Sequence, residues 1–109
     1  MKVMLFCVFE DSRETKEMLS SLQEDGYNGT LMGASSVNHA FSRKTEGVAA
    51  YSLSDFAEGV KEPNLTVFFL LEEKELPKVQ GTIREKSGNF EKIRGMMVVL
   101  PATSYEGSF

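Results

Sequence analysis

LTVFFLL, residues 65–71, is the strongest strand signal in the chain. Val67, Phe68 and Phe69 follow one another, and β-branched and aromatic side chains suit a pleated, half-buried surface. So apolar a strand belongs near the middle of a sheet. Successive side chains point to opposite faces, so one of Phe68 and Phe69 packs on a helix. The other meets the second face or a neighbouring subunit.

Downstream, Pro77 falls in the first turn of a helix, where its missing N–H costs little. Leu76, Val79, Gln80, Ile83 and the aliphatic stem of Lys86 form the inner side of that helix. Gly81 either weakens it by about 1 kcal/mol relative to alanine or allows a close approach. Ser87, Gly88 and Asn89 end it. Residues 90–95 are a short connector, and residues 96–100 (MMVVL) form the last strand. Pro101 stops that strand or puts it at an edge.

Upstream, residues 3–9 (VMLFCVF) are a continuous apolar run of strand length. Lacking strict alternation, the run is expected to be covered on both sides over part of its length. Ser12, with Asp11 as the alternative, caps a helix whose stripe is Thr15, Met18, Leu19 and Leu22. Gly26 supplies its stop. After the Asn28-Gly29 turn signal, residues 30–34 make a short second strand. Residues 35–63 are polar apart from a modest patch at 48–53, and so long a connection tends to be functional or mobile.

The order strand, helix, strand, long loop, strand, helix, strand predicts an α+β, ferredoxin-like β-α-β-β-α-β domain. Its four-stranded antiparallel sheet carries two helices on one face. With 109 residues the chain suits one domain, 1–109, with the long loop at 35–63. Strands this apolar leave the open face to be covered by packing between subunits.

Composition narrows the function classes. A net charge of −4 with no basic run argues against a nucleic-acid surface. One cysteine, Cys7, excludes an internal disulfide framework and a multi-thiolate cluster within a subunit. Within its strand it reads as a small buried hydrophobe. No apolar run reaches 18 residues, and the N-terminus does not read as an export signal, so a cytoplasmic location without membrane insertion is expected. No Gly-rich phosphate loop, nucleophile elbow or metal-ligand spacing is present, so the reading is of a non-enzyme.

Four features resemble the PII-type nitrogen regulatory proteins and the wider PII-like superfamily. The chain opens with a lysine and an apolar strand, and its first helix ends in Glu24-Asp25-Gly26-Tyr27. Leu31-Met32-Gly33 then leads into the long loop. Residues 65–71 with the helix from about 75 to 86 match the second unit. Gly88 through Met97-Val98-Val99-Leu100-Pro101-Ala102 resembles the final strand. The resemblance implies a homotrimer working in signal transduction, with small ligands, commonly adenine nucleotides, held between subunits. The long loop would touch a partner protein. The segment after the last strand, Thr103 to Gly107, has no arginine where the classical proteins have an arginine-rich one. A PII-like relative with another ligand therefore fits better than a classical nitrogen sensor.

The candidate ligand-binding residues are Gly33, Gly88, Lys92 and Arg94. Lys92 and Arg94 supply donors for a phosphate or carboxylate, with glycines letting backbone come near, or else they are solvated surface charge. In the loop, His39, Arg43, Lys44 and Tyr51 are the candidate partner contacts. His39 would be a polar loop residue, a pH-sensitive contact or, across a symmetry axis, a metal ligand. Three other classes compete with the regulator: a small ferredoxin-like enzyme with a pocket between helix and sheet, a trimeric metal-tolerance-type protein, and a purely structural partner domain.

Overall fold

A computed structural model describes residues 1–35, 37 and 64–107. The loop candidates His39, Arg43, Lys44 and Tyr51 lie outside the described residues. The elements are β1 (Lys2–Glu10), α1 (Arg13–Glu24), β2 (Thr30–Ala34), β3 (Asn64–Glu72), α2 (Leu76–Ser87) and β4 (Gly95–Pro101). A 3-10 turn, Glu73–Glu75, leads from β3 into α2. The strands form one antiparallel sheet in the order β2-β3-β1-β4. Each β-α-β unit is thus split, with β3 between β1 and β2, and β1 between β3 and β4. This is the ferredoxin-like arrangement, and it puts the LTVFFLL strand inside the sheet.

Register sorts the side chains. Leu5 pairs with Phe69 and Cys7 with Val67, so the odd-numbered residues of β1 and β3 share a face. Val3, Leu5, Cys7, Phe9, Val67, Phe69 and Leu71 are buried there with Met18 and Leu22 of α1 and Val79 and Ile83 of α2. Burying each such large side chain favours the folded state by about 1.5–3 kcal/mol. The second face holds Met4, Phe6, Val8, Phe68 and Leu70. Phe69 packs on the helices and the half-buried Phe68 lies opposite, as the alternation of a strand requires.

Three details correct the sequence reading. Burial along β1 alternates strictly, because helices cover only the odd face, so Met4, Phe6 and Val8 stay half-exposed. On α2 the inner stripe continues from Ile83 to Ser87, four residues on, while Lys86 is exposed. Gly81 meets nothing within 4 Å of where a Cβ would stand, so no close approach explains it and only the helix cost remains.

Local signals act as their chemistry dictates. Ser12 caps α1, its Oγ accepting the Thr15 N–H at 3.1 Å. Thr15, fully buried, donates its hydroxyl to the Glu10 carbonyl at 2.7 Å, fixing the angle between strand and helix. Tyr27 donates to Glu75 Oε2 at 2.5 Å, tying the chain after α1 to the start of α2. That bond holds the phenol proton and pushes the Tyr27 pKa up. Burial pushes the Cys7 thiol from 9.0 up to about 12, which fits the buried hydrophobe expected of it. Among the described residues no helix is long and apolar enough to cross a membrane.

Candidate functional site

The end of the sheet where β1 finishes, β3 begins and β4 begins carries an open cleft of about 620 Å³. It is lined by Val8, Phe9 and Glu10 from β1, Asn64 from β3, Gly95 from β4, and Phe90 and Arg94 from the connector. Asn64 is also the residue at which the chain re-enters the sheet after the long 35–63 segment.

The connector between α2 and β4 builds most of one wall. Gly88 caps α2 with φ +60°, in the left-handed region that glycine adopts freely. Asn89 and Phe90 continue in the same region, at φ 55° and 67°. A phenylalanine there is a genuine outlier and persists only when surroundings over-determine it. Ser87 provides much of that determination. Its side chain is fully buried and its Oγ accepts the Phe90 N–H at 3.0 Å. Its carbonyl accepts the N–H of Lys92 at 2.8 Å and of Ile93 at 3.3 Å. Ile93 is buried in the core and anchors the far side of the turn. The Phe90 ring stacks on Phe9, with centroids 6.5 Å apart and planes 13° from parallel.

Glu10 clamps the other end of the connector. Its N–H donates to the Arg94 carbonyl at 2.9 Å, and its Oε1 accepts the Arg94 N–H at 3.1 Å. Gly95 sits so close to β1 that a Cβ would stand 2.3 Å from the Val8 carbonyl oxygen. Arg94 therefore has a backbone pinned on both sides. Its exposed guanidinium makes no ion pair or hydrogen bond among the described residues. Planar, permanently charged and offering five donors, it suits phosphate or carboxylate.

Of the four ligand candidates, Arg94 lines this cleft. Lys92 lies two residues away with its stem against Gly88, 3.6 Å from where a Cβ on Gly88 would stand. Gly33 pairs with Leu65 in β2, one residue along from Asn64. Phe90, Glu10 and Asn64 escaped the sequence reading. An aromatic directly after a Ser-Gly-Asn turn was the available signal for Phe90; Glu10 read only as the end of a strand. Among the described residues, no three His, Cys, Asp or Glu side chains group to hold a metal ion.

A second, smaller concavity of about 210 Å³ runs between α1 and the sheet, lined by Leu19, Gln23, Tyr27 to Gly29, Leu31, Val67 and Phe69. Among the described residues, none of those that line it is charged.

No protein-family model matches the chain, and no curated protein matches it. Solved structures do. A functionally unknown protein from Pediococcus pentosaceus is similar at 12% identity and a TM-score of 0.63, over 98% of this chain and 97% of that one. A protein from Thermus thermophilus thought to be a PII-like signalling protein is similar at 11% identity. Its TM-score is 0.52, over 92% of this chain and 87% of that one. At such identities the likeness is one of fold: the chain has the ferredoxin-like architecture that these proteins, PII-like among them, share.

Proposed function

We propose that this protein is a PII-like signalling protein that binds a small anionic ligand in the cleft at Arg94. In this reading three copies assemble through the open faces and edges of their sheets, and the cleft lies at a junction between them. The loop at 35–63 is the surface a partner protein reads. Ligand binding favours one arrangement of the protein over another, and no chemistry on the ligand is needed.

The observation that carries the reading is the guanidinium of Arg94, without an ion pair or hydrogen bond among the described residues and carried by a doubly pinned backbone at an open cleft. Binding an anion there need not order the backbone, so the ordering cost is confined to the arginine side chain. The cleft also opens at Asn64, where the loop rejoins the sheet, so a bound ligand would lie beside the loop's base. The fold shared with a PII-like neighbour is the second support.

Native mass spectrometry tests both halves of the proposal. The gently purified chain is expected to run as a trimer and to retain an added phosphate- or carboxylate-bearing ligand. Arg94→Ala should abolish retention while leaving the trimer. A monomer would sink the assembly, and retention unaffected by the substitution would sink the site.

A further inference from the structure

Arg94, Glu10 and Asn64 stand in one row across the end of the sheet. Glu10 pairs with Asn64 on β3, and Phe9 pairs with Gly95 on β4, so the residue before Gly95 lies opposite Glu10. Facing positions direct their side chains to the same side, with Cβ atoms about 4.5–5.5 Å apart. The row reads as a cation, an anion and a neutral amide, and all three residues line the cleft.

The two opposite charges in that row do not neutralise one another. Glu10 Oε1 accepts the Arg94 backbone N–H at 3.1 Å, yet the carboxylate and the guanidinium form no ion pair. Among the described residues, ion pairs join Glu72 to Lys2 and the terminal amine, Glu17 to Arg13, and Asp11 to Lys16. Glu10 is as firmly rooted as Arg94. Its N–H donates to the Arg94 carbonyl and its own carbonyl accepts the Thr15 hydroxyl. Oε1 is committed to that clamp, while Oε2 accepts no hydrogen bond among the described residues.

We infer that the anion this cleft takes is one end of a zwitterion of the amino-acid class. The inference deepens the anion-binding reading and rests on it. Arg94 takes the carboxylate, and Glu10 Oε2 takes the ammonium one step along the row. The Asn64 carboxamide, with a carbonyl to accept and an N–H to donate, serves either end. A fixed carboxylate beside the guanidinium repels a ligand whose every charge is negative and attracts one that carries a positive charge as well.

The test compares L-aspartate with succinate by titration calorimetry on the full chain. The two share a carbon skeleton and both carboxylates and differ by one ammonium. Aspartate should bind at least about tenfold more tightly, the worth of one hydrogen bond between charged groups. Glu10→Gln keeps an acceptor for the Arg94 N–H and removes the charge, so it should erase that preference without weakening succinate. Should that variant fail to fold, the comparison in the unsubstituted chain still decides. Succinate bound as tightly as aspartate would overturn the zwitterion and leave the anion site standing. A preference that survives Glu10→Gln would overturn the role of Glu10. Inorganic phosphate separates the remaining cases: held while aspartate is not, it sinks this inference alone, and binding of none of the three takes down both readings.

Discussion

The two faces of the sheet are alike in sequence and opposite in fate. One carries Val3, Leu5, Cys7, Phe9, Val67, Phe69 and Leu71, all buried beneath α1 and α2. The other carries Met4, Phe6, Val8, Phe68 and Leu70, joined by Met32 from β2 and Met96, Val98 and Leu100 from β4. Leu70 is 44% exposed, Met96 54% and Leu100 42%. Apolar character therefore does not decide which face a single chain covers; the connections do, because both crossover helices lie on the odd-numbered face. The uncovered apolar band is also bracketed. Lys2 pairs with Glu72 at one end and Glu10 with Asn64 at the other.

The largest effect should come from the covered face. Phe9→Ala removes a fully buried ring that also backs Phe90. It should cost about 3–5 kcal/mol of unfolding free energy in denaturant titration. A loss below about 1 kcal/mol would mean that the helices do not seal this face as described.

Cys7 probes the dryness of that face through pH. Its thiol pKa is raised to about 12 from 9.0 by burial. The native state keeps its proton where the unfolded state has lost it. Stability from this group is therefore full below pH 9 and falls as pH rises through the window from 9 to 12. The slope there should approach about 1.4 kcal/mol per pH unit, and Cys7→Val should remove it. An unaltered slope in that variant would assign the alkaline loss to another group.

How much of this was readable beforehand differs along the chain. The strand at residues 30–34 and the Ser12 cap were legible because turn and capping chemistry act locally, the Asn28-Gly29 signal opening the one and the Ser12 hydroxyl the other. The bracketed open face was half legible: the element order puts both helices on one face and leaves an apolar one open, but which residues that face carries depends on the register and on where the crossovers run. The cleft was the least legible. Lys92 and Arg94 look equivalent in sequence, yet an irregular turn sends only Arg94 to the cleft. Phe90 owes its place to a run of left-handed residues that no hydrophobic period announces.

The open face breaks the symmetry of the comparison if it is an assembly surface. Leu70→Asp puts a charge in the middle of the exposed band, where a lone protomer keeps it hydrated. Protomer stability should change by about 1 kcal/mol or less, with the helical circular dichroism retained. Mass in solution should fall from the proposed trimer to monomer, because an interface core tolerates no unpaired charge. A substituted chain that stays trimeric would mean that the copies meet elsewhere.

The smallest effect lies at the rim and reports on the same question. Lys2 Nζ stands 3.2 Å from Glu72 Oε2, with the terminal amine 3.8 Å from the other carboxylate oxygen. The hydrogen bond from Lys2 and its charge hold the Glu72 carboxyl below its ordinary 4.5. A depressed carboxylate contributes stability above its unfolded value, and that contribution is lost as pH falls through the folded one. Glu72→Gln should flatten the acid limb of the stability curve slightly, and added salt should shrink the difference, because exposed pairs are screened. The salt test decides where the rim lies in the proposed assembly. A Glu72→Gln difference that vanishes in salt keeps the pair in water, outside any contact between copies. One that survives high salt puts the pair inside that contact, where screening does not reach, and extends the covered band to the end of the sheet.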